Sequence, residues 1–419
     1  MVRNMKISKG KLVQVILMLC AFQFFAVFRV GRYIYKTDFI NLTTIIFSLI
    51  FIISYHFKPI LDRRVAGSFY NWIISTFFLW IIEIINSIVK YQKHGQSLLD
   101  VLSSSFGMLT IIMVFPLCYA QKREKRPDTL KNILKLMSLI AAVLSIIQVF
   151  FNQYGIVFLD TTDSLDRNGR IRFGIAAALV SVGMIISFFD WIEGKKKKDI
   201  FAVLIELLFF FYATQTRSRL MYSIAAIYFS LILFLKNRNK RILFFIIGVI
   251  AIALLLFSGL ASEFKNSLQT DAGILMRSNA ISFYISQWLS SPIVGMGYIK
   301  ASNANSFLLD TLMGPLYYGR IRYYYRNDVG IVGLLNESGI LGIVWYIWLI
   351  VLLYRSVRQL YKINKKKYTW AVAVYIYVLL CSINLIITSN LSDLSVIIAI
   401  MNCSLLYERN NELKLENSG

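Results

Sequence analysis

The sequence predicts an all-α polytopic membrane protein of about 12 transmembrane helices, with one large extracytoplasmic segment between helices 9 and 10. Three observations predict it. Hydrophobic residues make up 57% of the 419 residues and charged residues only 16%, where a soluble chain carries roughly 25% charged. The mean hydropathy is +0.62. The basic residues, which give a formal net charge of +23, fall in short clusters between apolar runs. A nucleic-acid binder would gather them on one soluble face, so no nucleic-acid partner is expected.

A helix needs about 20 apolar residues to cross the hydrocarbon core. Windows of that size fall at 12–30, 38–57, 68–89, 98–120, 131–151, 173–192, 199–214, 220–235, 242–261, 329–354, 369–388 and 391–407. The first follows Arg3, Lys6, Lys9 and Lys11, as a signal peptide would, but no small-residue cleavage site follows it, so it reads as a retained helix. Residues 1–419 then form a single integral membrane domain. The ionisable residues Glu83, Lys135 and Glu206 fall inside these windows, where burial in lipid is expensive. Cys20, Cys118, Cys381 and Cys403 lie in apolar runs and read as small buried hydrophobes. His56 and His94 are far apart, and no spacing suggests a zinc site, so neither a metal nor a cofactor is expected.

Orientation follows from the lysines and arginines. With the N-terminus in the cytoplasm, the inner segments hold 28 of the 45 basic residues and the outer segments 16, and both termini come out cytoplasmic. The inner set is 18 Lys and 10 Arg; the outer set is 5 Lys and 11 Arg. Topology needs only positive charge. An outer excess of Arg points to planar, bidentate recognition of phosphate or carboxylate.

Most connections are short, but two outer segments, 152–172 and 262–328, are long, as functional segments of compact proteins are. Thr216-Arg217-Ser218-Arg219 opens the eighth window. Thr216 or Ser218 can cap that helix, whose free N–H groups and two guanidinium forks make a seat for a diphosphate. Arg277 begins an amphipathic stretch that ends in Ser291-Pro292-Ile293-Val294-Gly295-Met296-Gly297. Residues 317–328 then interleave Tyr317, Tyr318, Tyr323, Tyr324 and Tyr325 with Arg320, Arg322 and Arg326; the tyrosine rings can stack on sugars. Asp328 and Glu337 follow, nine positions apart, which puts them on opposite faces of a regular helix.

This order of motifs resembles the O-antigen polymerase and ligase family, and most of all the bacterial capsule and exopolysaccharide repeat-unit polymerases. It comprises Arg217-Ser218-Arg219 at an outer helix start, Arg277, a Pro–Gly–x–Gly turn, and a polar residue nine before a Glu-x-Gly. The resemblance covers roughly residues 170 to 345. It implies a metal-independent, inverting glycosyltransferase acting on the outer face of the bacterial cell membrane. The donor it implies is an oligosaccharide on undecaprenyl diphosphate; membrane lipid, a flippase and chain-length regulators would be its partners. Arg217 and Arg277 would stabilise the departing diphosphate, with Arg219, Arg170 and Arg172 beside them. Arg320, Arg322, Tyr323, Arg326 and Glu337 would hold the glycan. Where the ligase branch has a His, this chain has Asp328, which would then serve as the base. The alternatives are a ligase-like glycan transferase and a lipid-linked oligosaccharide flippase or transporter.

Overall fold

The structure is a computed structural model. It describes residues 8–27, 36–94, 96–124, 127–159, 166–167, 170–171, 173, 175–214, 216–235, 237–239, 241–243, 246, 272–299, 313–317, 320–323, 326–384 and 391–416. The helices in chain order are α1 (Lys9–Ala21), α2 (Lys36–Ser54), the single turns α3 (Lys58–Leu61) and α4 (Arg63–Ala66), α5 (Tyr70–His94), α6 (Leu98–Leu109) and α7 (Val114–Lys122). They continue with α8 (Thr129–Asn152), α9 (Ala177–Gly194), α10 (Lys197–Leu208), α11 (Arg217–Phe234), α12 (Ala272–Leu289), α13 (Ile331–Ile363), α14 (Thr369–Cys381) and α15 (Leu391–Glu416). Two short antiparallel hairpins join them: β1 (Asp166–Arg167) with β2 (Arg170–Ile171), and β3 (Met313–Tyr317) with β4 (Arg320–Tyr323).

Among the described residues, 6 helical spans are long and apolar enough to cross a membrane: Arg63–Val89, Leu98–Lys122, Thr129–Asn152, Ala177–Gly194, Ile331–Ile363 and Leu391–Asn411. Shorter apolar helices cover Asp38–Ser54, Ser218–Phe234 and Thr369–Cys381. The fold is helical and membrane-embedded in character. Residues 247–261, most of the ninth expected window, lie outside the described residues.

Two expected windows are shorter or more irregular than a continuous apolar run suggests. The first helix stops at Ala21 and gives way to a tight turn, Gln23–Ala26, with left-handed backbone at Phe24 and Phe25. The seventh window divides into α10 and a π-helical stretch, Phe209–Thr214. Wider turns of this kind occur mostly as single insertions within α-helices.

The centre of the bundle is α15. In its most apolar window 78% of the residues are buried, against 33% for Arg63–Val89. A helix that is apolar on all sides packs inside, whereas one with a polar stripe lies at a boundary. Around α15 pack α1, α7 and α13; α8, α9 and α10 form a second layer, and α11 packs on α14. A clasp of two tryptophans ties α5 to α13. Trp72 and Trp345 stack with ring centroids 4.9 Å apart. Trp72 Nε1 donates to the Trp345 carbonyl (3.1 Å), and Trp345 Nε1 donates to Thr76 Oγ1 (2.9 Å). Both rings thereby bury their apolar bodies while their N–H groups stay satisfied.

Lys135, expected within a span, does not face lipid. Its Nζ lies 2.8 Å from Asp190 Oδ2 and 2.7 Å from Asp199 Oδ1, and Lys131 joins Asp190 at 3.1 Å. Glu206, deeper in the same layer, takes the hydroxyl of Ser138.

Candidate functional site

The site begins with a broken helix. α13 starts at Ile331 and breaks at Gly339 (φ 63°, ψ −154°), a backbone conformation essentially reserved for glycine. A break leaves backbone N–H and C=O groups without helical partners, and inside a bundle these must be satisfied. The segment after α12 satisfies them. Ile340 N donates to the Pro292 carbonyl (3.0 Å) and Leu341 N to that of Ile293 (3.2 Å). In return, Met296 N donates to the Asn336 carbonyl (2.7 Å) and Gly297 N to that of Glu337 (2.9 Å). A Cβ on Gly295 would meet the backbone of Glu337 and Gly339, and one on Gly339 would meet the Ile293 carbonyl. The two glycine-containing motifs picked out from the sequence are therefore the two halves of one joint.

The other wall of the joint is α5. Asn86 Nδ2 donates to the carbonyls of Val294 (3.3 Å) and Gly295 (3.1 Å). Ser87 Oγ accepts from Tyr298 N (2.7 Å), and Gln96 Nε2 donates to the Tyr298 carbonyl (3.1 Å). Glu83, Asn86 and Ser87 stand at i, i+3 and i+4, one face of a helix. That polar triplet in an apolar run is the signal that would have singled out Glu83. Singly, Glu83 gave no hint of its partners, because they lie more than two hundred residues away.

Charge collects at this joint. Glu83 is 1% exposed, and neither of its carboxyl oxygens has a hydrogen-bond partner. Around it stand Glu337, Ser338, Tyr298 and Arg326. Arg326 Nη1 donates to the Gly297 carbonyl (2.7 Å) and lies 3.6 Å from Glu337 Oε2, while its Nη2 is buried with no partner. The Glu337 side chain is 30% exposed and that of Arg326 12%. Two carboxyl groups thus share one guanidinium, and only Glu337 opens outward. Chemically the group can hold or pass a proton, or present a cation–carboxyl pair to a polar ligand.

A second cluster lies beside it. The Arg219 guanidinium, on the first turn of α11, faces Tyr377 and Cys381 of α14 and Asp393 of α15. Tyr222, one turn further along α11, donates to Asn384 Oδ1 (2.8 Å) and lies within electrostatic reach of both Cys381 and Arg277. Arg219 and Tyr222 of α11 therefore both face Cys381, and Arg277 of α12 lies within electrostatic reach of Tyr222. The 3₁₀ turn Arg326–Val329 connects the two clusters. Arg326 reaches the joint, and Ile331 N, just past the turn, donates to the Ser382 carbonyl (3.0 Å) beside Cys381. Asp328 sits on that turn, partly exposed.

Asp328 and Glu337 are not on one helix, because Asp328 precedes the N-cap, Gly330. Arg217 is the first residue of α11, and Arg320, Arg322 and Tyr323 lie on β4. Arg170 pairs with Arg167 in the β1–β2 hairpin. The side chains of these five, and Arg172 entirely, lie outside the described residues. The expected cap on the eighth window is not made. Thr216 occupies the N-cap of α11, but its hydroxyl bonds to Thr214 Oγ1 (2.5 Å) rather than to the helix N–H groups. The π-helical turn before it brings Thr214 close enough to compete. Among the described residues no three His, Cys, Asp or Glu side chains gather as metal ligands.

The fold and these clusters define a helical membrane protein with paired charges inside its bundle. Compared with known proteins, the chain matches no family model and no curated protein.

Proposed function

We propose that the protein is a polymerase of undecaprenyl-diphosphate-linked oligosaccharide repeat units, acting by inverting, metal-independent transfer on the outer face of the bacterial cell membrane. In this reading about twelve spans cross the membrane, both termini are cytoplasmic, and residues 262–328 belong to the outer side. The observation that carries it is that Arg219 on α11 faces Cys381, and Arg277 on α12 lies within electrostatic reach of Tyr222, which faces Cys381 as well. Transfer from a diphosphate places negative charge on the leaving group, and guanidinium groups fixed in advance stabilise it without reorganising. In this reading Arg217 would add its charge to theirs, Asp328 on the adjoining turn accepts the proton of the acceptor hydroxyl, and Glu337 and Arg326 border the glycan path. In the same reading Arg170, Arg172, Arg320, Arg322 and Tyr323 would contact the glycan.

The test is purified protein with a lipid-linked repeat unit, scored for a ladder of polymer. Arg277→Lys keeps the charge but loses the bidentate fork; it abolishes the ladder and leaves single repeats. A normal ladder from Arg277→Lys overturns the assignment. One observation favours a second reading, a flippase of the same lipid: the acid Glu83 is buried inside the bundle, as in proton-coupled carriers. A polymerase defect leaves single repeats on the outer leaflet. A flippase defect leaves them on the inner one.

A further inference from the structure

Away from both clusters, a cavity of about 560 Å³ lies between α3 and the end of α7, lined by Lys58, Leu61, Asp62, Tyr119, Lys122 and Arg123. That volume falls in the range that admits small ligands. Its charge is unbalanced. The Asp62 carboxylate is taken up by Lys122 Nζ (2.9 Å) and also caps Arg64 N (3.1 Å). The Lys122 hydrogen bond holds the Asp62 carboxyl below its usual range. Glu124, the other acid nearby, accepts the hydroxyl of Ser8. Among the described residues, Lys58 and Arg123 have no acidic partner.

Arg123 is also held in place. Its guanidinium lies 4.8 Å from the Tyr55 ring centroid and 4.9 Å from that of Tyr119, and Nη2 donates to the Tyr119 hydroxyl (3.2 Å). A guanidinium held against two adjacent rings, themselves 5.0 Å apart, and tied to one hydroxyl has little entropy left to lose when its remaining N–H groups meet an anion. The rim, in contrast, is apolar. Leu61, part of the lining, is 74% exposed, and Phe57, the N-cap of α3 beside Lys58, is 53% exposed. Cations within and bare hydrocarbon at the mouth match an amphiphile whose phosphate enters and whose chains stay outside. A free phosphate would leave that apolar rim without a partner.

We propose that this cavity binds the phosphate headgroup of an anionic phospholipid, with Lys58 and Arg123 as its cationic contacts. Basic residues at a membrane surface each add measurably to anionic-lipid affinity, so two uncompensated cations give a preference of roughly 10- to 30-fold for an anionic over a zwitterionic headgroup. The proposal does not depend on the polymerase reading.

The experiment measures lipid retention by native mass spectrometry of the purified protein in detergent, with phosphatidylglycerol, phosphatidylcholine or inorganic phosphate added. Wild type is expected to keep phosphatidylglycerol preferentially, and Lys58→Gln/Arg123→Gln to lose the preference. Leu61→Glu is a second variant, at an exposed position that leaves the Arg123 stack intact; the acid it adds at the mouth weakens retention likewise. Equal retention of the two lipids by wild type overturns the proposal, and so does a preference that survives both variants. Retention of inorganic phosphate in place of lipid, lost with Arg123→Gln, replaces the lipid by a soluble anion and overturns it as well.

Discussion

Two of the groups of charges inside this bundle are built differently. Between α8, α9 and α10, Lys131 and Lys135 meet Asp190 and Asp199 at 2.7 to 3.1 Å, with each charge matched. At the α5–α13 joint, Glu83 and Glu337 share the single Arg326, whose closer approach to Glu337 is 3.6 Å, and Glu83 and Arg326 keep polar atoms without partners. A matched cluster fixes geometry, and its members depend on one another. A mismatched one in a low-dielectric interior is costly, so it persists where something other than stability retains it. The contrast separates a balanced network from an unbalanced one.

The comparison breaks most sharply through Lys135. Lys135→Met leaves Asp199 buried without its cation, and thermal unfolding in detergent should show a loss of about 3–5 kcal/mol. Adding Asp199→Asn should recover part of it. Next is the joint itself. Gly339→Ala forces a side chain into the Ile293 carbonyl at a left-handed backbone position, a loss of about 2–4 kcal/mol by combined overpacking and strain. A melting point equal to wild type would show that the Pro292–Gly297 segment does not seat there.

The third prediction sharpens the contrast. Glu83→Gln replaces a buried carboxyl group that has no hydrogen-bond partner by a neutral amide of the same shape, so its effect on stability should stay within about 1 kcal/mol; single repeats that then collect on the inner leaflet would favour the flippase reading, and an unchanged ladder the polymerase. A destabilisation equal to that of Lys135→Met would place both clusters in the structural class. The smallest effect belongs to Asp62, partly exposed at 34%. Its folded value lies below the ordinary carboxylate value because Lys122 donates to it. Its contribution is therefore present above the ordinary value and is lost as pH falls through the lower, folded one. Solvent screening keeps it to a few tenths of a kcal/mol, about the level of an exposed pair. Asp62→Asn should flatten that acid limb of the unfolding profile.

Much of the fold was legible in the sequence because the length of an apolar run is read directly against the thickness of a membrane. The described helices follow most of the expected windows. Cys20, Cys118, Cys381 and Cys403 are buried and free, as isolated cysteines in apolar runs are. Of the candidate site, Arg219, Arg277, Asp328, Arg326 and Glu337 were legible as residue types in a motif order, and the structure brings them into two adjoining clusters. Glu83 was visible only as an isolated acid, and the failure of Thr216 to cap α11 was not visible at all. Whether a hydroxyl oxygen accepts from a helix N–H or pairs with a neighbouring hydroxyl is set by local backbone geometry, and the π-helical turn before it leaves no mark in hydropathy.

The sequence alone determined that the chain is helical, that it is apolar enough to lie in a membrane, and where its glycines and arginines punctuate the runs. Those properties are local, set by composition over one or two helix lengths. Tertiary structure alone decided that Pro292–Gly297 mends the break in α13, that Lys135 is neutralised by two aspartates, and that Glu83 has half of Arg326 to answer it. Each of these is a contact between segments far apart in sequence, made by backbone groups at the α13 break and by side chains at Lys135 and Glu83. Only the packing of the helices says which ones meet.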